Sequence, residues 1–181
     1  MPSYRRVLIL GGARSGKSRT ALQLAEQSSS QRIYVATAQA FDDEMRERIA
    51  LHRQERDHSW QTVDAPLELS QAIQAQTRPE KVVLVDCLTL WLSNIVLAER
   101  DPSREADQLI GTIREAQGPL ILVSNEVGQG IVPSTPLGRS FRDGQGRLNQ
   151  RIAEACDAVV FVAAGCPILL KPAPPLDLRL A

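Results

Sequence analysis

The chain has 181 residues, which at about 150 residues per domain corresponds to one domain. Apolar residues make up 43% and charged residues 23%, the balance of an ordinary globular protein, which excludes disordered and fibrous chains. The 21 basic and 21 acidic residues cancel, so no net field attracts the chain to nucleic acid or to an anionic membrane.

Short apolar runs alternate along the chain with longer helical patterns. The apolar runs are residues 7–10, 33–36, 82–85, 120–123 and 159–162. The helical patterns are residues 17–27, 42–53, 67–76, 88–100, 104–117 and 148–155. Continuous runs rich in Val and Ile are typical of strands that are covered on both faces. The alternation therefore predicts an α/β fold with a doubly wound, mostly parallel sheet.

Two further segments contain clustered glycine or proline. Residues 126–147 hold five glycines and two prolines, which indicates a long loop or a broken helix. Residues 172–181 begin Pro-Ala-Pro-Pro, which predicts an extended, Pro-rich tail after a single domain of residues 1–171. The three cysteines form no CxxC pair, and the longest apolar stretch, residues 158–170, is shorter than a membrane span. We therefore expect a cytoplasmic protein with free thiols and no membrane span.

A glycine-rich motif stands at the end of the first apolar run. It consists of Gly11, Gly12, Ala13, Arg14, Ser15, Gly16, Lys17 and Ser18, and it fits G-x-x-x-x-G-K-[ST] between a strand and a helix. In such a P-loop the backbone N–H groups and the helix N-terminus bind phosphate oxygens. We expect Lys17 to bridge the outer phosphates, Ser18 to offer its hydroxyl to Mg²⁺, and Arg14 to add a guanidinium. The alternative is a glycine-rich turn that binds nothing.

An aspartate follows the third apolar run. Residues 82–86, Val-Val-Leu-Val-Asp, are typical of a Walker B strand, which would place Asp86 on a strand next to the P-loop strand and close to Mg²⁺. Aspartates between a strand and a loop are also common without any function. The chain has no Asn-Lys-x-Asp guanine motif and no DFG or HRD motif of protein kinases. The classes of P-loop protein that stay possible are nucleotide kinases, small-molecule kinases, RecA-like ATPases and transferases.

His52 lies on the predicted helix of residues 42–53. Met45, Ile49 and His52 follow the spacing i, i+4, i+7, which places the histidine on the inward face of that helix. From periodicity alone, the favoured interpretation is a partly buried histidine with a structural hydrogen bond.

Several short motifs occur in order, at the spacing of a known family, from about residue 6 to residue 171. Besides the P-loop they are Ala-Thr-Ala-Gln at 36–39, Asp-Asp-Glu-Met at 42–45, Asp-Cys-Leu-Thr at 86–89, Ser-Asn-Glu-Val-Gly at 124–128 and the segment 141–151. Together they resemble the bifunctional adenosylcobinamide kinase/adenosylcobinamide-phosphate guanylyltransferases of cobalamin biosynthesis. The P-loop alone is unspecific, whereas its combination with His52 and the Asn-Glu-Val-Gly segment is specific.

This resemblance implies a P-loop NTPase-like fold and an enzyme with two activities. The first phosphorylates the aminopropanol hydroxyl of adenosylcobinamide with ATP or GTP. The second transfers GMP from GTP to the resulting phosphate through a guanylylated histidine, which matches His52 here, and releases pyrophosphate. The resemblance also implies a corrinoid substrate and a homotrimer.

The resemblance further implies guanine-nucleotide contacts at residues outside the P-loop. These are Thr37, Ala38, Gln39, Arg53, Gln54, Glu55, Arg56, Asp64 and Asp86. Ala38 stands where related chains can carry Ser, so one hydroxyl contact is in doubt. Arg53 and Arg56 either neutralise phosphate charge or form a solvated helix end. Glu126 and Asp143 either orient the acceptor hydroxyl or serve the structure alone.

Two other functions stay open from the sequence. One is a P-loop small-molecule kinase in which His52 is structural. The other is a nucleotide-binding regulatory module that hydrolyses slowly and signals by loop movement. A covalent GMP adduct separates the first from the bifunctional enzyme, and turnover on a corrinoid separates the second.

Overall fold

The computed structural model describes residues 3–40, 43, 46–47, 50 and 56–174. Seven strands of this part of the chain form one sheet. They are β1 (Arg6–Gly11), β2 (Gln31–Ala36), β3 (Trp60–Asp64), β4 (Lys81–Asp86), β5 (Leu120–Asn125), β6 (Ala158–Ala163) and β7 (Cys166–Lys171). All five predicted strands are present, and β3 and β7 are additional.

The sheet has the order β3-β2-β4-β5-β1-β6-β7. Every neighbouring pair is parallel except β6 and β7, which are antiparallel. The prediction of a mostly parallel sheet is therefore confirmed. The expectation that Asp86 ends a strand next to β1 is wrong, because β5 lies between β1 and β4. Chain order alone does not reveal this insertion.

Five helices cover the two faces of the sheet in the part of the chain that the structure describes. They are α1 (Lys17–Ser28), α2 (Leu69–Gln76), α3 (Leu88–Leu97), α4 (Pro102–Glu115) and α5 (Pro136–Ala155). α1 packs on the face formed by residues such as Ile9 and Val123, and the other helices pack on the face that includes Leu8 and Leu122. Because alternate strand residues point to opposite faces, both faces need apolar cover, which explains the continuous apolar runs.

The glycine-rich segment of residues 126–147 is largely helical, since α5 begins at Pro136. Proline suits the first helical turn, and the Thr135 hydroxyl accepts a hydrogen bond from the Gly138 N–H at 3.1 Å. Each glycine inside a helix costs about 1 kcal/mol relative to alanine. Burial of Leu148 and Ile152 against the sheet offsets that cost. The loop is therefore limited to residues 126–135.

The apolar stretch of residues 158–170 forms the β6–β7 hairpin. Its turn contains Ala164 and Gly165, both with positive φ. β7 is an edge strand, and Ile168, Leu169 and Leu170 are each about half exposed. Because β7 runs antiparallel to β6, it ends at the edge where the parallel strands begin. No helix in the described ranges is long and apolar enough to cross a membrane.

Candidate active site

The P-loop of residues 11–18 connects β1 to α1 at the edge where the parallel strands end, which we call the carboxyl edge. Arg14 and Gly16 have φ values of 55° and 99°, in the left-handed region. Glycine adopts this conformation without strain, and such turns direct successive N–H groups to one side. The Lys17 side chain is buried and folds back over the loop, where its ammonium donates to the Gly12 carbonyl oxygen at 2.9 Å. This arrangement is a cradle for phosphate oxygens.

The turn of the β6–β7 hairpin packs directly behind this loop. The Gly165 N–H donates to the Ser15 carbonyl oxygen at 2.8 Å. A Cβ on Gly16 would lie 3.1 Å from the Gly165 Cα, and a Cβ on Gly11 would lie 2.6 Å from the Val162 carbonyl oxygen. Gly11 is therefore required by close backbone approach, and Gly16 by close approach and by its positive φ.

Asp86 ends β4 on the same edge of the sheet. Burial and the Asp86 charge raise the pKa of the neighbouring Cys87 thiol to about 11, whereas the charge of Lys17 acts in the opposite direction. The Lys17 charge therefore acts on the thiol that follows Asp86. Burial and the Asp86 charge also raise the pKa of Tyr34.

Ser18 and Asp86 are the residues predicted to hold Mg²⁺. Both are partly exposed at the carboxyl edge, one with a hydroxyl and the other with a carboxylate. Mg²⁺ commonly takes one or two protein oxygens and completes its shell with water and substrate phosphates. The donor set therefore fits Mg²⁺ bound together with a nucleotide. Among the described residues, no group of three or more His, Cys, Asp or Glu side chains is arranged to hold a metal ion by itself.

Thr37 follows β2 at the carboxyl edge and is fully buried. Its hydroxyl donates to the Cys87 carbonyl oxygen and accepts from the Cys87 N–H, both at 2.8 Å. Its own carbonyl oxygen accepts from the Asn94 side chain at 2.8 Å. Through these bonds the Thr37 side chain holds Cys87, the residue that follows Asp86, in place. The direct nucleotide contact of Thr37 stays a prediction, as do those of the half-buried Ala38 and Gln39.

Asn94 is a residue that sequence reasoning missed. It is 4% exposed within the apolar helix α3, and its amide donates to the carbonyl oxygens of Thr37 and Pro66. It thereby joins the end of β2 to the segment that follows β3. An amide side chain in a mostly apolar helix is a weak signal of a buried polar role, and it does not reveal which backbone groups the amide bonds.

Asp64 ends β3 and is exposed, four strands away from β1. At a spacing of about 4.8 Å per strand, roughly 19 Å separate the ends of these two strands. Asp64, Thr37, Asp86 and the P-loop therefore share one edge, but they are spread along it rather than gathered around one point. An extended ligand such as a nucleoside triphosphate would be needed to contact several of them.

Arg56 lies on the ring of Tyr34. Its guanidinium carbon is 3.6 Å from the ring centroid, the geometry of a cation–π contact. Trp60 packs edge-on against the same ring, with a centroid distance of 6.2 Å. Arg56 and the Asp86 charge thus act on the same side chain, with opposite effects on the pKa of Tyr34.

His52 and the predicted contacts Arg53, Gln54 and Glu55 lie outside the described residues. Of the predicted helix over residues 42–53, the structure describes Asp43, Arg46, Glu47 and Ala50, which are helical and exposed.

Comparison with known proteins gives a consistent result. The family model described as cobinamide kinase / cobinamide phosphate guanyltransferase matches residues 7–170. A bifunctional adenosylcobalamin biosynthesis protein of Pseudomonas aeruginosa is 48% identical over 172 residues, covering 93% of this chain and 99% of the relative. Proteins of the same description from Escherichia coli and Salmonella typhimurium are 40% and 38% identical over 180 residues, with 91% of this chain and 99% of each relative covered. The chain that places Lys17 and Asp86 on one sheet edge belongs to the cobinamide kinase / cobinamide phosphate guanyltransferase family.

Proposed function

We propose that this chain phosphorylates adenosylcobinamide and then transfers GMP from GTP to the resulting phosphate. The observation that carries the proposal is the combination of the family match with a formed phosphate cradle, in which the Lys17 ammonium is folded back and bonded to the Gly12 carbonyl oxygen. The phosphoryl donor is ATP or GTP. We include both as substrates.

In phosphoryl transfer, the chain acts mainly by positioning and by neutralising charge, because the transition state is loose. The P-loop N–H groups and the N-terminus of α1 hold the phosphates, Lys17 bridges the outer two, and Arg14 adds positive charge from its exposed position. Ser18 and Asp86 would hold Mg²⁺, which supplies further charge neutralisation when bound. The two hydrogen bonds between the Thr37 hydroxyl and the Cys87 backbone keep the Asp86–Cys87 segment in place.

In guanylyl transfer, we propose His52 as the nucleophile. Its neutral imidazole forms a bond to the α-phosphorus of GTP while the bond to the bridging oxygen breaks and pyrophosphate leaves. The phosphate of the acceptor then displaces the imidazole, which completes the transfer. Support comes from the family match at this position and from Arg56, four residues later, which lies on Tyr34 beside Asp86. The remaining predicted contacts, including Arg53, Gln54, Glu55 and Asp64, are proposed to bind the nucleotide.

Mass spectrometry tests the covalent step. After incubation with GTP and Mg²⁺, we expect the wild-type protein to gain one GMP in a linkage that is labile in acid and stable in base. The His52→Ala variant should gain none, yet retain phosphoryl transfer to adenosylcobinamide, because that step does not use the imidazole. His58→Ala, with its histidine in the exposed turn before β3, is the control and should behave as wild type. A labelled His52→Ala variant, or an unlabelled wild type, would favour the kinase with a structural histidine.

We also propose that the protein assembles as a homotrimer in the cytoplasm. The exposed apolar side chains of Ile168, Leu169 and Leu170 on edge strand β7 support an assembly, since isolated monomers seldom expose such rows. The three unpaired cysteines support a reducing compartment. Light scattering after size-exclusion chromatography tests the trimer, and a mass near 20 kDa would exclude it.

A further inference from the structure

Four polar side chains form a cluster beneath the carboxyl edge that the proposed function leaves unused. The cluster consists of Thr89, Ser124, Gln145 and Asn149, and the last three are at most 5% exposed. The Gln145 amide donates to the Ser124 hydroxyl at 3.0 Å and to the Asn149 side-chain oxygen Oδ1 at 2.9 Å. Burying this much polarity is costly unless it is bonded. The buried side-chain polar atoms of the cluster are bonded except for the Gln145 Oε1, and these bonds favour a single arrangement.

The cluster closes a ring of hydrogen bonds around the backbone of Asn125. The Asn125 N–H donates to the Thr89 hydroxyl at 2.9 Å, and the Asn149 amide donates to the Asn125 carbonyl oxygen at 3.0 Å. Ser124 gives its one proton to the Asn149 side-chain oxygen at 2.7 Å. The long 3.5 Å contact between Thr89 and Ser124 must then use the threonine proton. Both polar backbone groups of Asn125 are thus held from helices α3 and α5.

Asn125 determines where Glu126 leaves the sheet. Asn125 is in register with Gly11, and the Glu126 N–H donates to the Gly11 carbonyl oxygen at 3.0 Å. Because β5 lies between β1 and β4, Glu126 emerges between the P-loop and Asp86. One of its carboxylate oxygens accepts from the Gly128 N–H at 2.7 Å, which turns the side chain back over its own loop.

Asp143, the other acid considered from sequence, is placed differently. It lies within α5, where it is exposed and forms an ion pair with the adjacent Arg142 at 3.3 Å. Glu126 is therefore the acid that the topology brings to the reacting phosphate.

We infer that Glu126 accepts the proton of the acceptor hydroxyl in phosphoryl transfer, and that the buried cluster is its positioning device. The hydroxyl oxygen bonds to the γ-phosphorus, the bond from that phosphorus to the bridging oxygen breaks, and the nucleoside diphosphate leaves with the electron pair. The proton passes to the Glu126 carboxylate and then to solvent. The inference rests on the proposed kinase activity and adds the residues that serve its acceptor side.

Steady-state kinetics, with the nucleotide varied at saturating adenosylcobinamide, test both parts. Glu126→Gln should lower kcat about 100-fold with the KM for nucleotide changed less than about 3-fold. Thr89→Val should lower kcat about 10-fold, and Thr89→Ser, which restores the hydroxyl, should return it to within about 2-fold of wild type. Thr112→Val is the matched control, because that hydroxyl bonds only within α4, and its kcat should be unchanged.

The double variant Thr89→Val/Glu126→Gln separates positioning from general structure. If Thr89 acts through Glu126, the double variant is no slower than Glu126→Gln alone, whereas independent effects would multiply. Multiplied effects, or an additional loss that tracks a lowered unfolding midpoint, overturn the positioning role. A wild-type kcat in Glu126→Gln overturns the whole inference. A wild-type protein that phosphorylates no adenosylcobinamide overturns the proposed function itself, and this inference with it.

Discussion

Replacing Thr37 by valine should destabilise the protein although the two side chains have nearly the same shape. The change removes the hydroxyl that bonds both backbone groups of Cys87 in a fully buried position. The Cys87 carbonyl oxygen still accepts a bond from the Trp91 N–H, so losing the bond from Thr37 costs about 0.5–1.5 kcal/mol at this oxygen. The Cys87 N–H loses its Thr37 acceptor, which costs about 1–3 kcal/mol. The sum is about 1.5–4.5 kcal/mol, out of a typical total stability of about 5–15 kcal/mol.

Urea unfolding followed by circular dichroism measures this loss. With a slope of about 2 kcal/mol per molar, the midpoint of Thr37→Val should fall by about 1–2 M. Thr37→Ser keeps the hydroxyl and should lose only about 1 kcal/mol for the missing methyl group. Thr62→Val, the same change on the exposed side of β3, should stay within about 0.5 kcal/mol of wild type. A Thr37→Val midpoint equal to wild type, or a serine variant as damaged as the valine variant, would refute the reasoning.

Three further predictions follow from other contacts. Lys17→Ala should weaken GTP binding by about 1.5–3 kcal/mol, the value of a charge-assisted hydrogen bond, as titration calorimetry would show, and unchanged affinity would exclude the P-loop as the site. Hydrogen bonds from Arg6 lower the pKa of Asp157 in the folded protein. The pair therefore contributes its full stability above about pH 3.9, the pKa of an aspartate in the unfolded chain. That contribution is lost as the pH falls through the lower pKa of Asp157 in the folded protein. Asp157→Asn should therefore unfold more easily than wild type at pH 7, by about 1–2 kcal/mol, with a smaller difference in urea titrations at pH 3; an equal difference at both values would contradict the assignment. Gly118→Ala places a Cβ 1.8 Å from a backbone carbonyl oxygen and should cost more than about 3 kcal/mol or prevent folding, whereas Gly111→Ala, with open space inside α4, should be neutral or stabilising in the same assay.

The central strands could be predicted from sequence because burial on both faces leaves a continuous apolar run. The edge strands could not. β3 reads Trp-Gln-Thr-Val-Asp with three exposed positions, and β7 is exposed along almost its whole length. Only pairing with a neighbour makes such segments strands. The start of α5 could not be predicted for a similar reason. The packing of Leu148 and Ile152 against the sheet offsets the low helix propensity of the glycines in α5, and the sequence does not show this packing.

The candidate site divides in the same way. The P-loop and Asp86 could be identified because their chemistry requires particular residues at fixed spacing. Asn94 and Asn149 could not, because each acts on backbone groups far away in the chain, such as the carbonyl oxygens of Thr37 and Asn125. For Thr37 the sequence predicts a nucleotide contact, and the structure shows its hydroxyl bonded to Cys87.

The antiparallel return of β7 has a practical consequence for handling the protein. Lys171, at the end of β7, donates to the Cys156 carbonyl oxygen at 2.6 Å, and the next residue, Asp157, bonds Arg6 at the start of β1. The start of β1 and the end of β7 therefore lie on the same edge of the sheet, opposite the P-loop, with β6 between them. A surface tether attached after β7 would present the phosphate cradle outward to solution. The same proximity makes a circular permutant feasible, with a short linker joining these ends and new termini opened at an exposed loop elsewhere.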